Sequence, residues 1–331
     1  MILITGAAGF IGSVIARKLN LQWRQDLILT DRLHDQNKWM NLRKIIYRDY
    51  LHADQLMQAP SDFWRNISHI VHMGACSSTT ERDVDFLMSN NFAYSKFLWN
   101  KACELDIPFI YASSAATYGD GSLGYIDDHQ TSAQLIPLNP YGYSKQIFDQ
   151  WALEHDRNKK APPRWYGLKF FNVYGPNEYH KGEMRSIVKK SYEQIQTKGA
   201  VKLFKSHRSD FKHGEQLRDF VYVMDAADIV IKILASDTLR SNHNGIYNLG
   251  TGKARSFLDL TNAVFKSLGK KPEIEFIDMP ESIRAQYQYF TEAKMQKIQN
   301  IFPDQNFSSL ESGVQDYVQN YLMKGDQNCY F

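Results

Sequence analysis

The sequence predicts an α/β protein, a doubly wound parallel sheet with helices on both faces, followed by a smaller C-terminal α/β domain. Three observations predict it: short apolar runs alternate with helical periodicity, the glycine-rich turn GAAGFIG joins the first run to the first helix, and Asp31 ends the second run. Residues 2–4 are continuously apolar, as in a central strand buried on both faces, and Gly6 ends them. Ile11, Ile15 and Leu19 keep a helical period, and residues 27–29 form the second strand. A third strand is expected at 45–47 and a fourth at 67–73, closed by Gly74. Residues 84–105 read as one helix with Leu87, Phe97, Leu98 and Ala102 as its buried stripe. A strand at 109–112 stopping at Ser113 and Ser114, a helix over 141–155, a basic turn at 157–164 and a strand at 166–171 complete the alternation.

Beyond Asn172 the expected elements are a helix at 182–197, a short extended piece at 203–204, a polar loop at 205–216, and an extended stretch at 219–223. A helix at 225–234, a strand at 246–249, a helix capped by Ser256 that runs to 268, and a helix at 310–322 follow. Residues 1–171 are expected to bind a dinucleotide. Residues 172–331 are expected mainly to bind substrate, lying over the carboxyl ends of the strands, with some segments returning to the main sheet.

The chain of 331 residues suits a cofactor domain with a smaller companion, and 39 basic against 36 acidic residues create no field that would announce nucleic acid or a membrane. An anionic small substrate remains compatible with that balance. Cys76, Cys103 and Cys329 lack paired-ligand spacing and read as free thiols in a reducing compartment. The opening residues have no basic segment ahead of an apolar stretch, and no apolar run reaches membrane-spanning length, so the cytoplasm is expected. His207 and His213 find no third ligand, and no catalytic metal is expected.

Gly6, Gly9 and Gly12 stand where a strand gives way to a helix, which permits a tight turn and brings backbone donors to a pyrophosphate at the helix start. With Phe10, Ile11 and Ala75 they form the expected Rossmann cofactor surface. Asp31, 19 residues after Gly12, suits ribose hydroxyls. Arg32 and Lys38 offer positive charge to a ribose 2′-phosphate, favouring NADP over NAD, with solvated surface as the alternative for either.

In YGYSK, the four-residue interval puts Tyr141 and Lys145 on adjacent turns of one helix face, whereas Tyr143 lies on another. A cation beside the phenol favours the phenolate and so proton exchange with a secondary alcohol. Both residues count toward the cofactor surface as well. Ser114, just after a strand, is placed to orient that alcohol.

These motifs, with YASSAATYG at 111–119, NPYGYSK at 139–145, LRDFVYVMD at 217–225 and YNLGTGKARSF at 247–257, identify the chain as resembling the extended short-chain dehydrogenase/reductase family over nearly its whole length. HMGACSSTTE at 72–81 and FFNVYGPNEYHKG at 170–182 resemble in particular its branch that acts on ADP-heptose. The resemblance implies inversion at C6 of that sugar through a 6-keto intermediate, with Ser114, Tyr141 and Lys145 as catalytic triad, and a homo-oligomer. It assigns Asn172, His180, Lys181 and Arg218 to the substrate, with Lys181 at the reacting heptose and Arg218 at the diphosphate. Arginine's planar fork independently suits phosphate, though a pairing with Asp219 is the alternative. Tyr287 would close the pocket or serve as an aromatic core residue. Lys181, with His180 as its rival, would be a second acid/base on the face opposite Tyr141. Other nucleotide-sugar epimerases and 4,6-dehydratases are the alternative activities; a dehydratase calls for an acidic pair beside Ser114, where Ala115 and Ala116 stand. A non-enzymatic NADP-binding scaffold would leave Tyr141 and Lys145 without purpose.

Overall fold

The apolar runs become strands because their backbone groups, once buried, must pair with neighbours. The structure, a computed structural model, describes residues 1–34, 37–284, 287–325 and 328–331. Its strands are β1 (Ile2–Thr5), β2 (Leu27–Asp31), β3 (Asp49–His52), β4 (His69–His72), β5 (Phe109–Ser114) and β6 (Trp165–Phe170). They continue with β7 (Asn172–Tyr174), β8 (Val201–Phe204), β9 (Leu217–Tyr222), β10 (Gly245–Leu249), β11 (Ala254–Ser256) and β12 (Ile274–Ile277).

Contacts divide the chain into two compact units, Met1–Phe170 with Ala227–Asn248, and Phe171–Ala226 with Leu249–Phe331. The first unit holds the sheet β10-β6-β5-β4-β1-β2-β3. The strand order reverses between β1 and β4, which opens a crevice at the carboxyl ends of those two strands. Its core gathers Trp99, Phe109, Tyr111, Phe148 and Trp165, with the Trp99 ring 5.1 Å from Trp165 and 5.8 Å from Phe109. Burying each such side chain contributes about 1.5–3 kcal/mol. That cluster fixes the helix Pro140–Arg157 against β5 and β6, and Ser114, Tyr141 and Lys145 stand on these elements. The helix begins where it does because Asn139 accepts from Gly142 N at 2.8 Å and Pro140 occupies its first turn.

The second unit holds a three-stranded sheet, β11-β9-β7, and the parallel pair β12-β8. In it β9 runs antiparallel to β11 and parallel to β7. Ser256 and Asp259 form a capping box on the helix Phe257–Ser267.

Three expectations are corrected. The third strand is Asp49–His52, not 45–47, because Ile45 is buried without joining the ladder while Ile46 and Tyr47 face solvent. The stretch 84–105 is interrupted: a π-helical segment, Met88–Ala93, separates the turn Val84–Leu87 from the helix Tyr94–Glu104, turning Asn91 inward. Instead of starting at 182, the next helix starts at Ile187, capped by Ser186, because Gly182 adopts a φ of +52° that breaks the preceding 3-10 turn, Tyr179–Met184. Strands β7 and β11 are too short to have been expected, and β12, IEFI, was missed although it is as long as β1.

Candidate active site

The glycine turn closes tightly on the end of β4. Gly6 has a φ of +63°, and a Cβ there would lie 2.6 Å from the backbone of Gly74. On Gly12 a Cβ would lie 2.2 Å from the Gly6 carbonyl oxygen. The helix Phe10–Leu21 starts at Gly9 with no side-chain cap and no acid in its first turn, so its positive end suits a phosphate anion. Phe10 is buried; Ile11 and Ala75 are half-buried.

Asp31 is almost wholly buried and its carboxylate is occupied. Ala8 N donates to Oδ2 at 2.9 Å, while Arg32 N at 2.7 Å and Lys38 Nζ at 2.6 Å donate to Oδ1. Lys38 thus neutralises the acid at the end of β2. The Arg32 guanidinium turns to Asp54 at 2.6 Å and Asn90 at 2.7 Å. Two cations therefore flank Asp31, a residue set compatible with a ribose carrying an anionic group.

Tyr141 and Lys145 are both buried on the helix Pro140–Arg157. Burial pushes the Tyr141 phenol up, and hydrogen bonding from Ser114 pulls it down, while Cys76 and Asp149 push it further up. Burial brings Lys145 down to about 8, against Asp149 and Cys76, which hold it up. Its Nζ donates to the Ala112 carbonyl at 2.8 Å, on the strand that ends in Ser114. The segment after β4 thus serves both halves of the site, Gly74 against Gly6 and Cys76 beside the tyrosine and lysine.

The remaining expected residues lie in the second unit. Asn172 is exposed at the start of β7 and is paired in register with Phe220. His180 and Lys181 are half-buried in the turn Tyr179–Met184. Burial lowers the Lys181 amine and Glu178 opposes that shift. Glu178 is fully buried and accepts from Ser186 Oγ at 2.6 Å. Arg218 is buried on β9, its guanidinium 5.1 Å from the Tyr287 ring and 5.6 Å from Phe257. Tyr287 is half-buried, packed on that guanidinium. Asp219 takes its hydrogen bonds from Thr251, Gly252 and Ala293, at 2.7 to 3.0 Å. In the loop 205–216, Arg208 pairs with Asp210 and covers the Phe211 and Tyr289 rings. Among the described residues no group of three or more His, Cys, Asp or Glu could hold a metal ion, and no helix is long and apolar enough to cross a membrane.

Several polar residues around the site escaped the sequence reading. Asn91 accepts from Cys76 N at 2.8 Å and donates to Cys76 O and Ser144 Oγ, both at 3.0 Å, which clamps the β4 loop to the helix Pro140–Arg157. His72 is bracketed by Thr5 Oγ1 at 2.6 Å and Ser95 Oγ at 2.8 Å. Asp149 and Lys169 form a fully buried ion pair at 2.7 Å. The usable signals were a lysine inside the apolar run WYGLKF and an aspartate one turn beyond Lys145.

A profile of the NAD dependent epimerase/dehydratase family matches residues 2–250. A protein of Fusobacterium nucleatum named ADP-L-glycero-D-manno-heptose-6-epimerase is 51% identical over 336 residues, covering 98% of this chain and 99% of that protein. One of the same name from Nitratidesulfovibrio vulgaris is 48% identical over 328 residues, covering 98% and 99%. The crystal structure of Helicobacter pylori ADP-L-glycero-D-manno-heptose-6-epimerase is similar at a TM-score of 0.78 and 26% identity, covering 96% of this chain and 94% of that one. With its glycine turn, its reversal of strand order and its Ser-Tyr-Lys set all within the matched span, the chain belongs to the NAD dependent epimerase/dehydratase family.

Proposed function

We propose that the protein inverts C6 of ADP-D-glycero-D-manno-heptose to the L-glycero form, through a 6-keto sugar, with NADP held throughout. The observation that supports this is the packing of Gly6 on Gly74 with Cys76, two residues on, acting on Tyr141 and Lys145, so that a dinucleotide turn and a proton-transfer pair border one short loop. The relatives named above supply the substrate, and NEYHKG supplies a second set of ionisable groups. Arg32 and Lys38 favour NADP through the 2′-phosphate.

A bound nicotinamide supplies a hydride acceptor and donor, and in its oxidised form a positive charge that favours the Tyr141 phenolate. Tyr141 Oη takes the proton of the C6 hydroxyl while Ser114 Oγ orients that hydroxyl, and Lys145 holds the strand end through the Ala112 carbonyl. Inversion requires the ketone to be reduced on its other face, where Lys181 Nζ donates the proton; His180 is the nearest rival. Burial prepares Lys181 for this by lowering the amine, which makes its ammonium a readier proton donor. Arg218 binds the diphosphate with Tyr287 packed on its guanidinium, and Asn172 contacts the substrate. We also infer a homo-oligomer, supported by an open, mostly apolar hollow lined by Val84, Pro137, Leu138, Asn139, Pro140 and Tyr143 beside the exposed Ile136. Light scattering tests that inference, and a monomer at physiological concentration contradicts it.

Turnover of ADP-heptose in deuterated water, followed by mass spectrometry, tests the reaction. Inverted product with no deuterium at C6 is expected. Substantial deuterium at C6 excludes direct hydride return.

A further inference from the structure

Beneath the catalytic pair lies a charged network that the reaction as described does not use. Asp149, with no exposed surface, accepts from Tyr111 Oη at 2.8 Å, Ser113 Oγ at 2.7 Å and Lys169 Nζ at 2.7 Å. Lys169, 2% exposed, also donates to Thr117 Oγ1 at 2.5 Å and lies 5.1 Å from the Tyr118 ring. Every member sits on β5, on β6, in the turn after β5, or on the catalytic helix. Replacing such a buried ion pair with apolar residues is often neutral or stabilising, so fold stability alone gives little reason for it.

Position supplies the reason. Tyr141, Lys145 and Asp149 follow one another at four-residue intervals on one face of the helix. Ser113 and Tyr111, which hold the carboxylate, stand on the strand that carries Ser114 and the Ala112 carbonyl accepting from Lys145. Among the described residues, the groups that act on the Lys145 ammonium are Asp149 on its own helix, His72 and Cys76 from β4 and its following loop, and the Ala112 carbonyl of β5. Of these Asp149 is the carboxylate, and it is kept in place by Lys169 of β6.

We propose that Asp149 is a positioning residue for the reaction: fixed by Lys169, Ser113 and Tyr111, its carboxylate keeps the buried Lys145 ammonium charged and aligned beside Tyr141. This rests on the role proposed above for Tyr141 and Lys145. The direction of the shifts agrees, since burial lowers Lys145 and Asp149 is the largest influence opposing it. Lys169 keeps the carboxylate from being a lone buried charge.

The test uses D149N/K169M, which removes both charges at nearly constant volume and leaves no unpaired ion. The folded variant is expected to bind the nicotinamide dinucleotide like the wild type. The alkaline limb of its kcat profile is expected to move to lower pH by about one unit, because an amine without its carboxylate loses its proton earlier. D149N alone leaves Lys169 unopposed and is expected to move the limb further the same way. A limb at the wild-type pH in either folded variant overturns the proposal. So does failure of both variants to bind the dinucleotide, which assigns the pair to the fold. K145M separates the two layers of argument: if it keeps wild-type kcat, the role of Lys145 itself falls, whereas an inactive K145M beside an unmoved limb removes only Asp149.

Discussion

Replacing Gly12 by alanine is expected to damage cofactor binding more than it damages the fold. The new Cβ would sit 2.2 Å from the Gly6 carbonyl oxygen, 2.9 Å from its carbon and 3.2 Å from Ala7 Cα, all of them backbone atoms that no rotamer change can move aside. Relief requires the turn to shift by more than about 1 Å, toward ordinary contact separations. Overpacking of that kind costs about 1–3 kcal/mol, of which about 1 kcal/mol is returned because alanine is the better helix former. A stability loss of at most about 2 kcal/mol therefore accompanies a displacement of the donors that face the pyrophosphate. Misplacement on this scale costs up to about a hundredfold, so dinucleotide affinity is expected to fall ten- to a hundredfold. Fluorescence titration with the reduced dinucleotide, alongside thermal unfolding, measures both effects. Gly199→Ala is the control: its φ is +75° with nothing within 4 Å of a new Cβ, so strain should lower stability and leave affinity unchanged. Wild-type affinity in G12A would refute the placement of the pyrophosphate at this turn.

Further outcomes follow from the same geometry. Activity is expected to fall as pH rises through about 8, where Lys145 loses its proton, and a flat kcat from pH 7 to 10 contradicts a charged Lys145. Stability moves the other way: the folded-state value lies below the ordinary lysine value, so the unfolded chain binds more protons between them and the cost of burying this charge lessens as pH rises. The stability advantage of K145M over wild type should accordingly shrink from pH 8 upward in thermal melts. Y141F is expected to be inactive, and K181M to fold, bind NADP and lose epimerisation by roughly two orders of magnitude or more; near-normal K181M beside inactive Y141F would leave Tyr141 serving both faces. R32A is expected to weaken NADP about tenfold while leaving NAD nearly unchanged in a binding titration, and equal losses for both would remove the 2′-phosphate reading.

The strands were legible where burial on both faces leaves a plain apolar signature, as in Ile2–Thr5 and Leu27–Asp31. β3 lies at the sheet margin, where one neighbour suffices and residues such as Asp49 and His52 are tolerated, so a nearby apolar stretch with no pairing role drew the reading instead. Helical periodicity cannot register the π segment at Met88–Ala93, because one wider turn leaves the spacing of Leu87 and Leu98 nearly intact. The glycine turn and the tyrosine–lysine pair were legible as local geometry because short-range backbone structure dictates them: glycine at a tight turn, tyrosine and lysine one helical turn apart. Asn91, Asp149, Lys169 and Glu178 were not, since their meaning lies in partners distant in sequence or in a burial that composition does not reveal. Lys169 left a mark as the charged residue in a strand whose every side chain is buried, and Asp149 left one as an acid one helical turn beyond Lys145.

The most direct test of the account is incubation of the purified protein, loaded with NADP, with separate ADP-, UDP- and GDP-linked sugars, each product being resolved by its configuration. The account predicts interconversion of the D-glycero and L-glycero forms of ADP-heptose without net change in the cofactor. Absence of product from ADP-heptose, together with turnover of a UDP-hexose, would contradict it.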